Sequence, residues 1–301
     1  MAEQQVFLPG LMKEYFAPGH TACAGCGMTI IFRHVLQVTG PDVIVVNATG
    51  CGEIISSAYP RSAWKVPYIH SLFENAASVA TGIAHALRAQ GNDHTTVLVL
   101  AGDGGTYDIG FGALSGMLER NEDVLFICYD NEAYQNTGNQ RSGATPFGSA
   151  TTTSPAGRVH HGKELMKKPI VEIAAAHRIP YAASTSIGFP MDLARKVRKA
   201  QALKGSRFIS IFSPCVPGWG YASNLTIQLA KDVVDCGLWK LYEIEKGQFR
   251  LNYRPQKRKP VKEYLFLQRR FRHLTDEEVA RIQRSIDEEW KEYEGMPVTP
   301  P

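Results

Sequence analysis

Two short apolar runs flanking a helical segment constrain the fold of this chain more than any other feature. Residues 97–101 and 124–129 have strand character, and residues 111–120 between them have helix character. A strand–helix–strand unit of this kind joins two parallel strands of one sheet. The first run ends at Gly102-Asp103-Gly104 and the second at Asn131. We therefore expect these residues to share the crevice outside the carboxyl ends of the strands.

Strand and helix signals alternate along much of the remaining chain. Further strands are predicted at 43–46, 181–185 and 208–212, and further helices at 170–177 and 191–203. Ser71 and Glu74 have the spacing of a capping box and predict a helix that begins there and ends near Gly91. The pattern predicts an α/β fold with a doubly wound, mostly parallel sheet.

The polar residues at the two strand ends are typical ligands for a magnesium diphosphate. Mg²⁺ prefers six oxygen ligands and is often shared between carboxylates and phosphate oxygens. Asp103 and Asn131 offer two such oxygens, and glycines let the backbone approach phosphate closely; they stand at Gly102, Gly104 and Gly105. The alternative is an ordinary Gly-Asp-Gly turn between a strand and a helix.

Four of the six cysteines form a second pattern. Cys23 and Cys26 lie in a CxxC loop, whereas Cys51 and Cys215 each follow a predicted strand. In a parallel sheet the last two would emerge at the same edge as Asp103. Four thiolates there suit either a tetrahedral zinc or a [4Fe-4S] cluster, and ligand chemistry alone does not distinguish them. Cys128 and Cys236 match no ligand position, and Cys128 is expected in the core.

Composition indicates an ordinary globular protein. The chain has 301 residues, 44% of them apolar, and a net charge of +4, which is too small to imply nucleic acid. It contains no apolar run long enough to span a membrane, and residues 1–10 do not resemble a secretory signal. We therefore expect a cytoplasmic location without membrane or nucleic-acid partners.

The segment from Gly102-Asp103-Gly104 to Asn131 resembles the thiamine diphosphate motif. In that family the Asp, the Asn and a backbone carbonyl two residues later hold Mg²⁺, which here implies Asp103, Asn131 and the carbonyl of Ala133. The continuation through Asn136 is similar to the 2-oxoacid:ferredoxin oxidoreductases, in which the matching Asn faces the substrate as a catalytic residue. The resemblance implies a wider set of cofactor contacts: Gly50, Cys51, Gly52, Gly102, Asp103, Gly104, Gly105, Asn131, Ala133, Tyr134, Asn136 and Thr137.

The cysteine pattern resembles the proximal [4Fe-4S] site in the β subunits of this family, especially its pyruvate branch. All four ligand positions are occupied, by Cys23, Cys26, Cys51 and Cys215, and the resemblance extends over residues 15–290. It implies a thiamine diphosphate- and cluster-binding domain at 1–235 and an extension at 236–301 that packs on the domain or on partner subunits. Gly52 stands where many pyruvate enzymes carry a larger residue, so another 2-oxoacid such as oxalate or phenylglyoxylate stays open.

The same resemblance implies an activity and partners. The activity is oxidative decarboxylation of a 2-oxoacid with coenzyme A, with electrons passing from thiamine diphosphate to the cluster and then to ferredoxin. The activating Glu lies on a pyrimidine-binding domain in that family, and this chain has little room for one. Partner subunits are expected to supply it together with ferredoxin-like clusters, in a dimer of heteromers. Alternatives are a cluster-free thiamine lyase or synthase with structural zinc, or a non-catalytic electron-transfer or assembly module.

Two segments carry less specific predictions. Residues 137–153 are expected to cover the cofactor or to form a mobile surface loop. Residues 254–272 carry eight Lys or Arg and one acidic residue, Glu263. This basic stretch is interpreted as an extended arm on partner subunits, a surface for acidic ferredoxin or a solvated face. Thr275 then predicts the start of a capped amphipathic helix reaching Trp290.

Overall fold

A computed structural model describes residues 13–299, so the prediction for residues 1–10 lies outside the described part. An eight-stranded sheet forms its centre, in the order β2-β1-β3-β4-β6-β5-β7-β8. The strands from β1 to β6 run parallel, and β7 and β8 are antiparallel additions at one edge. The strands are β1 (Val43–Ala48), β2 (Tyr68–Ser71), β3 (Thr96–Gly102), β4 (Leu125–Asp130), β5 (Tyr181–Ser186), β6 (Arg207–Phe212), β7 (Tyr242–Glu245) and β8 (Gln248–Leu251).

Ten α-helices are assigned among the described residues. They are α1 (Gly27–Thr39), α2 (Cys51–Ser56), α3 (Ala76–Ala89), α4 (Phe111–Glu119), α5 (Ile170–Ala176), α6 (Pro190–Ala202), α7 (Val216–Trp219), α8 (Thr226–Asp235), α9 (Val261–Leu265) and α10 (Asp276–Lys291). No helix within residues 13–299 is long and apolar enough to cross a membrane.

Helices cover both faces of the sheet, which explains why its central strands are apolar throughout. On one face α1, α6, α8 and α10 contribute to one hydrophobic cluster. On the other face α3, α4 and α5 contribute to a second. Strands buried on both faces read as continuous apolar runs rather than alternating ones, as β4 does with all six residues buried. The predicted doubly wound α/β fold is confirmed.

The capping box predicted at Ser71 is wrong. Ser71 is the last residue of β2 and pairs with Ala48 of β1, while α3 begins only at Ala76. The Ser71 hydroxyl donates to the Asn75 side chain at 2.6 Å instead of capping a helix. Strand pairing therefore overrides the local capping signal, and Glu74 is not a capping residue. The short strands β2, β7 and β8 were not predicted.

The end of the chain packs on the same molecule. Thr275 and Glu278 form the predicted capping box of α10, and Trp290 is buried near its end. The basic stretch of residues 254–272 lies against acidic groups of the same chain. Its internal ion pairs are Arg258–Asp287, Lys259–Asp232, Lys262–Asp276 and Arg270–Glu132. Four of its eight cationic residues are therefore paired within the chain.

Candidate active site

The carboxyl ends of β1, β3 and β4 form a small crevice of about 100 Å³. Asp103 follows β3 directly and Asn131 follows β4, as the parallel arrangement predicts. The lining contains ten of the twelve predicted cofactor contacts and omits Gly52 and Gly105. The lining residues are Thr49, Gly50, Cys51, Phe73, Gly102, Asp103, Gly104, Tyr129, Asn131, Ala133, Tyr134, Gln135, Asn136 and Thr137.

Gly104 is required by close packing at the floor of the crevice. It begins a π-helical turn, Gly104–Asp108, that follows Asp103. A Cβ atom at position 104 would lie 2.4 Å from Cε1 of Tyr134, which is shorter than real carbon contacts. The Tyr134 hydroxyl donates to the Asp108 carboxylate at 3.2 Å, which holds the ring in this position. Glycine therefore lets β3 and the 131–140 segment approach each other.

The Asp103 carboxyl is buried in surroundings that disfavour its charged form. Burial raises its pKa well above the usual range, and the neighbouring Asp130 raises it further. The Ser142 hydroxyl donates to Oδ2 at 2.5 Å, and the backbone N–H of Asn131 donates to Oδ1 at 3.3 Å. A bound cation would stabilise the carboxylate in this place.

Two more groups that can bind a divalent cation lie beside the Asp103 carboxylate, the side-chain amide of Asn131 and the backbone carbonyl of Ala133. In the orientation that places Oδ1 on this side, the Asn131 amide oxygen lies 2.8 Å from Oδ1 of Asp103 and 2.9 Å from the carbonyl oxygen of Ala133. Adjacent ligands of an octahedral Mg²⁺ are separated by about 2.8–3.0 Å, given Mg–O distances of about 2.0–2.1 Å. Rotating the amide would instead give two hydrogen bonds. The three groups that the sequence predicts as magnesium ligands therefore lie close together.

A buried ion network lies behind these oxygens. Lys167 contacts Asp130 at 2.9 Å and Glu132 at 3.1 Å, and Arg270 contacts Glu132 at 2.6 Å. Burial opposes ionisation of Glu132, but the two cations outweigh it and lower its pKa. Burial likewise opposes the charge on Lys167, but the two carboxylates raise its pKa. The network therefore keeps its charges paired in the protein interior.

The network holds a strained turn in the 131–133 segment. Glu132 adopts a left-handed conformation with φ of 64°, which is uncommon for this residue type. The carbonyl of Asn131 accepts two hydrogen bonds, from Nε2 of Gln135 at 3.0 Å and from Nε1 of Trp219 at 2.9 Å. These contacts fix the peptide between the Asn131 and Ala133 oxygens.

Segment 137–153 is partly buried against the site. Ser142, Ala144, Thr145 and Ser149 are buried. Besides contacting Asp103 through Ser142, the segment reaches back to the strained turn, where the Thr145 hydroxyl donates to the Glu132 carbonyl at 2.6 Å. The segment thus packs beneath the crevice and supports it.

The four predicted cluster cysteines lie around the same edge of the sheet. Cys26 precedes α1, Cys51 begins α2 and Cys215 precedes α7, while Cys23 lies in the turn before Cys26. Burial is the largest cause that raises the pKa of Cys51 to about 12, and the neighbouring Cys26 and Cys23 contribute to the rise. Burial also raises the pKa of Cys215 to about 12, although the backbone N–H of Gly218 opposes this. The four thiols therefore lie close enough together for a negative charge on one to raise the pKa of another.

Their spacing does not form a site for one ion. Within residues 13–299, no three His, Cys, Asp or Glu side chains are arranged to hold a single metal ion. Cys128 and Cys236 are fully buried away from this group, as expected for Cys128. Cys51 also lines the crevice, and its Sγ donates to Oδ1 of Asn136 at 3.8 Å. Cys51 therefore belongs to both groups of residues.

Several site residues were missed from the sequence. Ser142 contacts Asp103 from 39 positions away, and Trp219 contacts Asn131 from 88 positions away, so local motifs do not indicate them. Tyr129, Phe73 and Gln135 complete the crevice wall. A larger cavity of about 580 Å³ lies beyond the ion network, between residues 165–172 and α10. Its lining contains neither Asp103 nor Asn131, so its size does not make it the candidate site.

The fold and site define the diphosphate-binding half of a thiamine diphosphate enzyme. Residues 48–211 match the family described as "Thiamine pyrophosphate enzyme, C-terminal TPP binding domain". Pyruvate synthase subunit PorB of Methanocaldococcus jannaschii is 52% identical over 286 residues, covering 93% of this chain and 96% of that protein. Ketoisovalerate oxidoreductase subunit VorB of Pyrococcus furiosus is 43% identical over 296 residues, covering 96% and 94%. The chain belongs to this PorB/VorB family of 2-oxoacid:ferredoxin oxidoreductase subunits.

A solved structure is similar in fold. The 2-oxoglutarate:ferredoxin oxidoreductase from Magnetococcus marinus superposes with a TM-score of 0.59 and 22% identity, over 69% of each chain. At this identity the likeness concerns the fold alone.

Proposed function

We propose that this chain is the diphosphate-binding subunit of an enzyme that oxidatively decarboxylates pyruvate and transfers the acyl group to coenzyme A. Thiamine diphosphate with Mg²⁺ is its cofactor, and electrons leave through a [4Fe-4S] cluster to ferredoxin. The observation that carries the proposal is that the Asn131 amide lies 2.8 Å from Oδ1 of Asp103 and 2.9 Å from the Ala133 carbonyl oxygen, beside four neighbouring thiols. The family and the pyruvate synthase relatives support the reaction.

The chain's own residues would hold the metal and the diphosphate. The Asp103 carboxylate, the Asn131 amide oxygen and the Ala133 carbonyl provide three hard ligands on one side, which leaves other positions for phosphate oxygens and water. When bound, thiamine diphosphate supplies the carbon nucleophile and the electron sink of the reaction. The glycines at 102 and 104 keep the floor of the crevice open for the diphosphate.

Asn136 is proposed to orient the substrate. Its side chain is exposed at the crevice, and its amide has a donor N–H₂ group suited to a carboxylate or developing oxyanion. The Cys51 thiol donates to Oδ1 of Asn136 at 3.8 Å. A Cys51 thiolate bound to iron has no proton to donate and would instead accept from the N–H₂ group or lose this contact.

The four cysteines are proposed to bind a [4Fe-4S] cluster. In such a cluster each thiolate binds a different iron, so the sulfurs stand farther apart than the ligands of one zinc ion. This spacing is compatible with thiols that are neighbours without forming a single-ion site. Burial disfavours free thiolates, so metal binding would stabilise the ionised forms and release protons.

Partner subunits are proposed to complete the active site. The crevice of about 100 Å³ is smaller than the roughly 300–1,000 Å³ of typical ligand pockets, so a cofactor would project beyond this chain. The pyrimidine-binding domain with its activating Glu and the additional clusters are assigned to other chains, in a dimer of heteromers. The division of this chain at residue 235 and the cytoplasmic location remain predictions.

Pyruvate is the proposed substrate, with another 2-oxoacid as the alternative. The relatives named for pyruvate are up to 52% identical, but a ketoisovalerate enzyme subunit is 43% identical over a similar length. Gly52 lies beside Phe32 and the Tyr129 hydroxyl rather than in the crevice wall, so its small size does not by itself enlarge the pocket.

The complex purified without oxygen tests the proposal. We expect iron and sulfide bound to this subunit, Mg²⁺-dependent binding of thiamine diphosphate, and coenzyme A-dependent reduction of a low-potential dye with pyruvate. Zinc without iron would overturn the cluster assignment and favour the lyase or synthase alternative. A faster reaction with another 2-oxoacid would overturn only the assignment of pyruvate as the substrate. Failure to bind thiamine diphosphate would refute the catalytic role and favour an electron-transfer module.

A further inference from the structure

We propose that Trp219 is a positioning residue that couples the magnesium-binding turn to the helix following Cys215. The proposal rests on the proposed function because it concerns the Asp103–Asn131–Ala133 metal site. It assigns a role to a residue that does not line the crevice itself.

Trp219 contacts the metal-binding turn directly. It is fully buried, and its Nε1 donates to the Asn131 carbonyl at 2.9 Å. This carbonyl belongs to the peptide that separates two of the proposed magnesium ligands, the Asn131 amide and the Ala133 carbonyl. Because Glu132 holds a left-handed conformation, that peptide depends on external contacts for its orientation.

The same indole is attached to the Cys215 segment. Trp219 is the last residue of α7, and its backbone N–H donates to the Cys215 carbonyl at 3.0 Å. One short helical turn therefore carries a proposed cluster ligand at its start and the Asn131 donor at its end. A shift of Cys215 would be transmitted to the Asn131 carbonyl through a single rigid unit.

Arg270 holds the indole ring from the other side. Its guanidinium carbon lies 3.7 Å from the Trp219 ring centroid, and its Nη2 contacts Glu132 at 2.6 Å. The Arg270 guanidinium therefore stacks on the Trp219 indole and also forms an ion pair with Glu132, the residue in the left-handed conformation. Gln135 supplies the second donor to the Asn131 carbonyl, and its Oε1 lies close to Gly218 of α7. Two independent contacts thus connect the turn and α7.

Trp219→Phe removes the N–H donor while keeping an aromatic ring for Arg270. The matched control is Trp290→Phe, because Trp290 is also buried and donates to the Gly237 carbonyl at 2.8 Å, far along the chain from the turn. Equilibrium dialysis of thiamine diphosphate against the assembled complex, at several Mg²⁺ concentrations, measures cofactor affinity without turnover. The electron paramagnetic resonance spectrum of the reduced cluster reports on Cys215.

At limiting Mg²⁺ we expect Trp219→Phe to weaken cofactor binding by about three- to tenfold, since one of two hydrogen bonds to a buried carbonyl is lost. Raising Mg²⁺ should restore the affinity, and the cluster spectrum should shift. Trp290→Phe should change neither. A merely structural role for Trp219 would lower thermal stability without this magnesium rescue, and that result would overturn the proposal.

Gln135→Met provides a second test if the Trp219 variant does not assemble. It removes the other donor to the same carbonyl and keeps the indole and Arg270 in place, so a similar magnesium-dependent loss is expected. Unchanged cofactor binding in both variants would refute the coupling. A wild-type complex that binds no thiamine diphosphate would instead refute the proposed function itself.

Discussion

The thiol of Cys51 lies 3.8 Å from the side-chain oxygen of Asn136. Cys51 begins α2 after β1, and Asn136 lies in the segment after β4, so the contact depends on the parallel neighbourhood of these strands through β3. It brings a proposed cluster ligand against the proposed substrate-binding amide. The redox group and the substrate would therefore lie side by side, which suits one-electron transfer out of the crevice.

Replacing Cys51 tests this relationship. Cys51→Ser is expected to abolish the cluster signal and dye reduction while leaving Mg²⁺-dependent thiamine diphosphate binding, because the metal oxygens lie on β3 and β4 segments. Metal analysis and electron paramagnetic resonance of the complex measure the effect. Cys236→Ser is the matched control, since Cys236 is buried and its thiol donates to the Val233 carbonyl. An intact cluster in the Cys51 variant would contradict the ligand assignment.

Asp103→Asn removes the only charged group among the proposed magnesium ligands. We expect Mg²⁺ affinity to fall by at least the roughly 10- to 100-fold seen when even an indirect metal contact is altered. Cluster content should not change. Titration of thiamine diphosphate binding with Mg²⁺ is the measurement. Asp192→Asn is a suitable control because that carboxylate accepts from Thr185 and Lys196 and does not line the crevice. Equal affinities in wild type and Asp103→Asn would eliminate the proposed metal site.

Gly104→Ala tests the close packing at the floor of the crevice. The added methyl group must displace the Tyr134 ring, and overpacking of this kind costs about 1–3 kcal/mol. If that cost falls entirely on the bound state, the dissociation constant for thiamine diphosphate rises roughly 5- to 150-fold. At Gly112 in α4, a Cβ atom would meet nothing within 4 Å. Gly112→Ala should therefore bind the cofactor like wild type, and similar binding by both variants would refute the steric argument.

Arg270→Met breaks a buried ion pair beneath the site. Removing one partner of such a pair typically costs about 3 kcal/mol, because Glu132 then keeps only Lys167 to balance its charge. The midpoint of thermal unfolding of the complex should fall. Arg258→Met removes a partly exposed pair with Asp287 and should cost less than about 1 kcal/mol. Adding Glu132→Gln to Arg270→Met should recover part of the loss, and a purely additive double variant would argue against direct coupling.

Local sequence signals predicted the strands and helix ends correctly where no tertiary contact competed with them. The apolar runs ending at Asp103 and Asn131 predicted two neighbouring parallel strands, and both residues line the crevice at the ends of those strands. Thr275 capped α10 as expected, because an exposed helix start is governed by nearby residues. At Ser71 the capping-box signal gave a wrong prediction, because the backbone of Ser71 pairs with β1 instead of starting a helix.

The sequence by itself determined the five parallel strands β1, β3, β4, β5 and β6 and the polar residues that follow β3 and β4, because apolar runs and strand ends are local in the chain. Only the tertiary structure decided which distant groups hold that site in place. Ser142, Trp219 and Arg270 contact the 103–133 region from later segments. Four cationic residues of the basic stretch form ion pairs with acidic residues elsewhere in the chain. Such contacts arise from packing between segments far apart in sequence, and neither periodicity nor motif spacing encodes them.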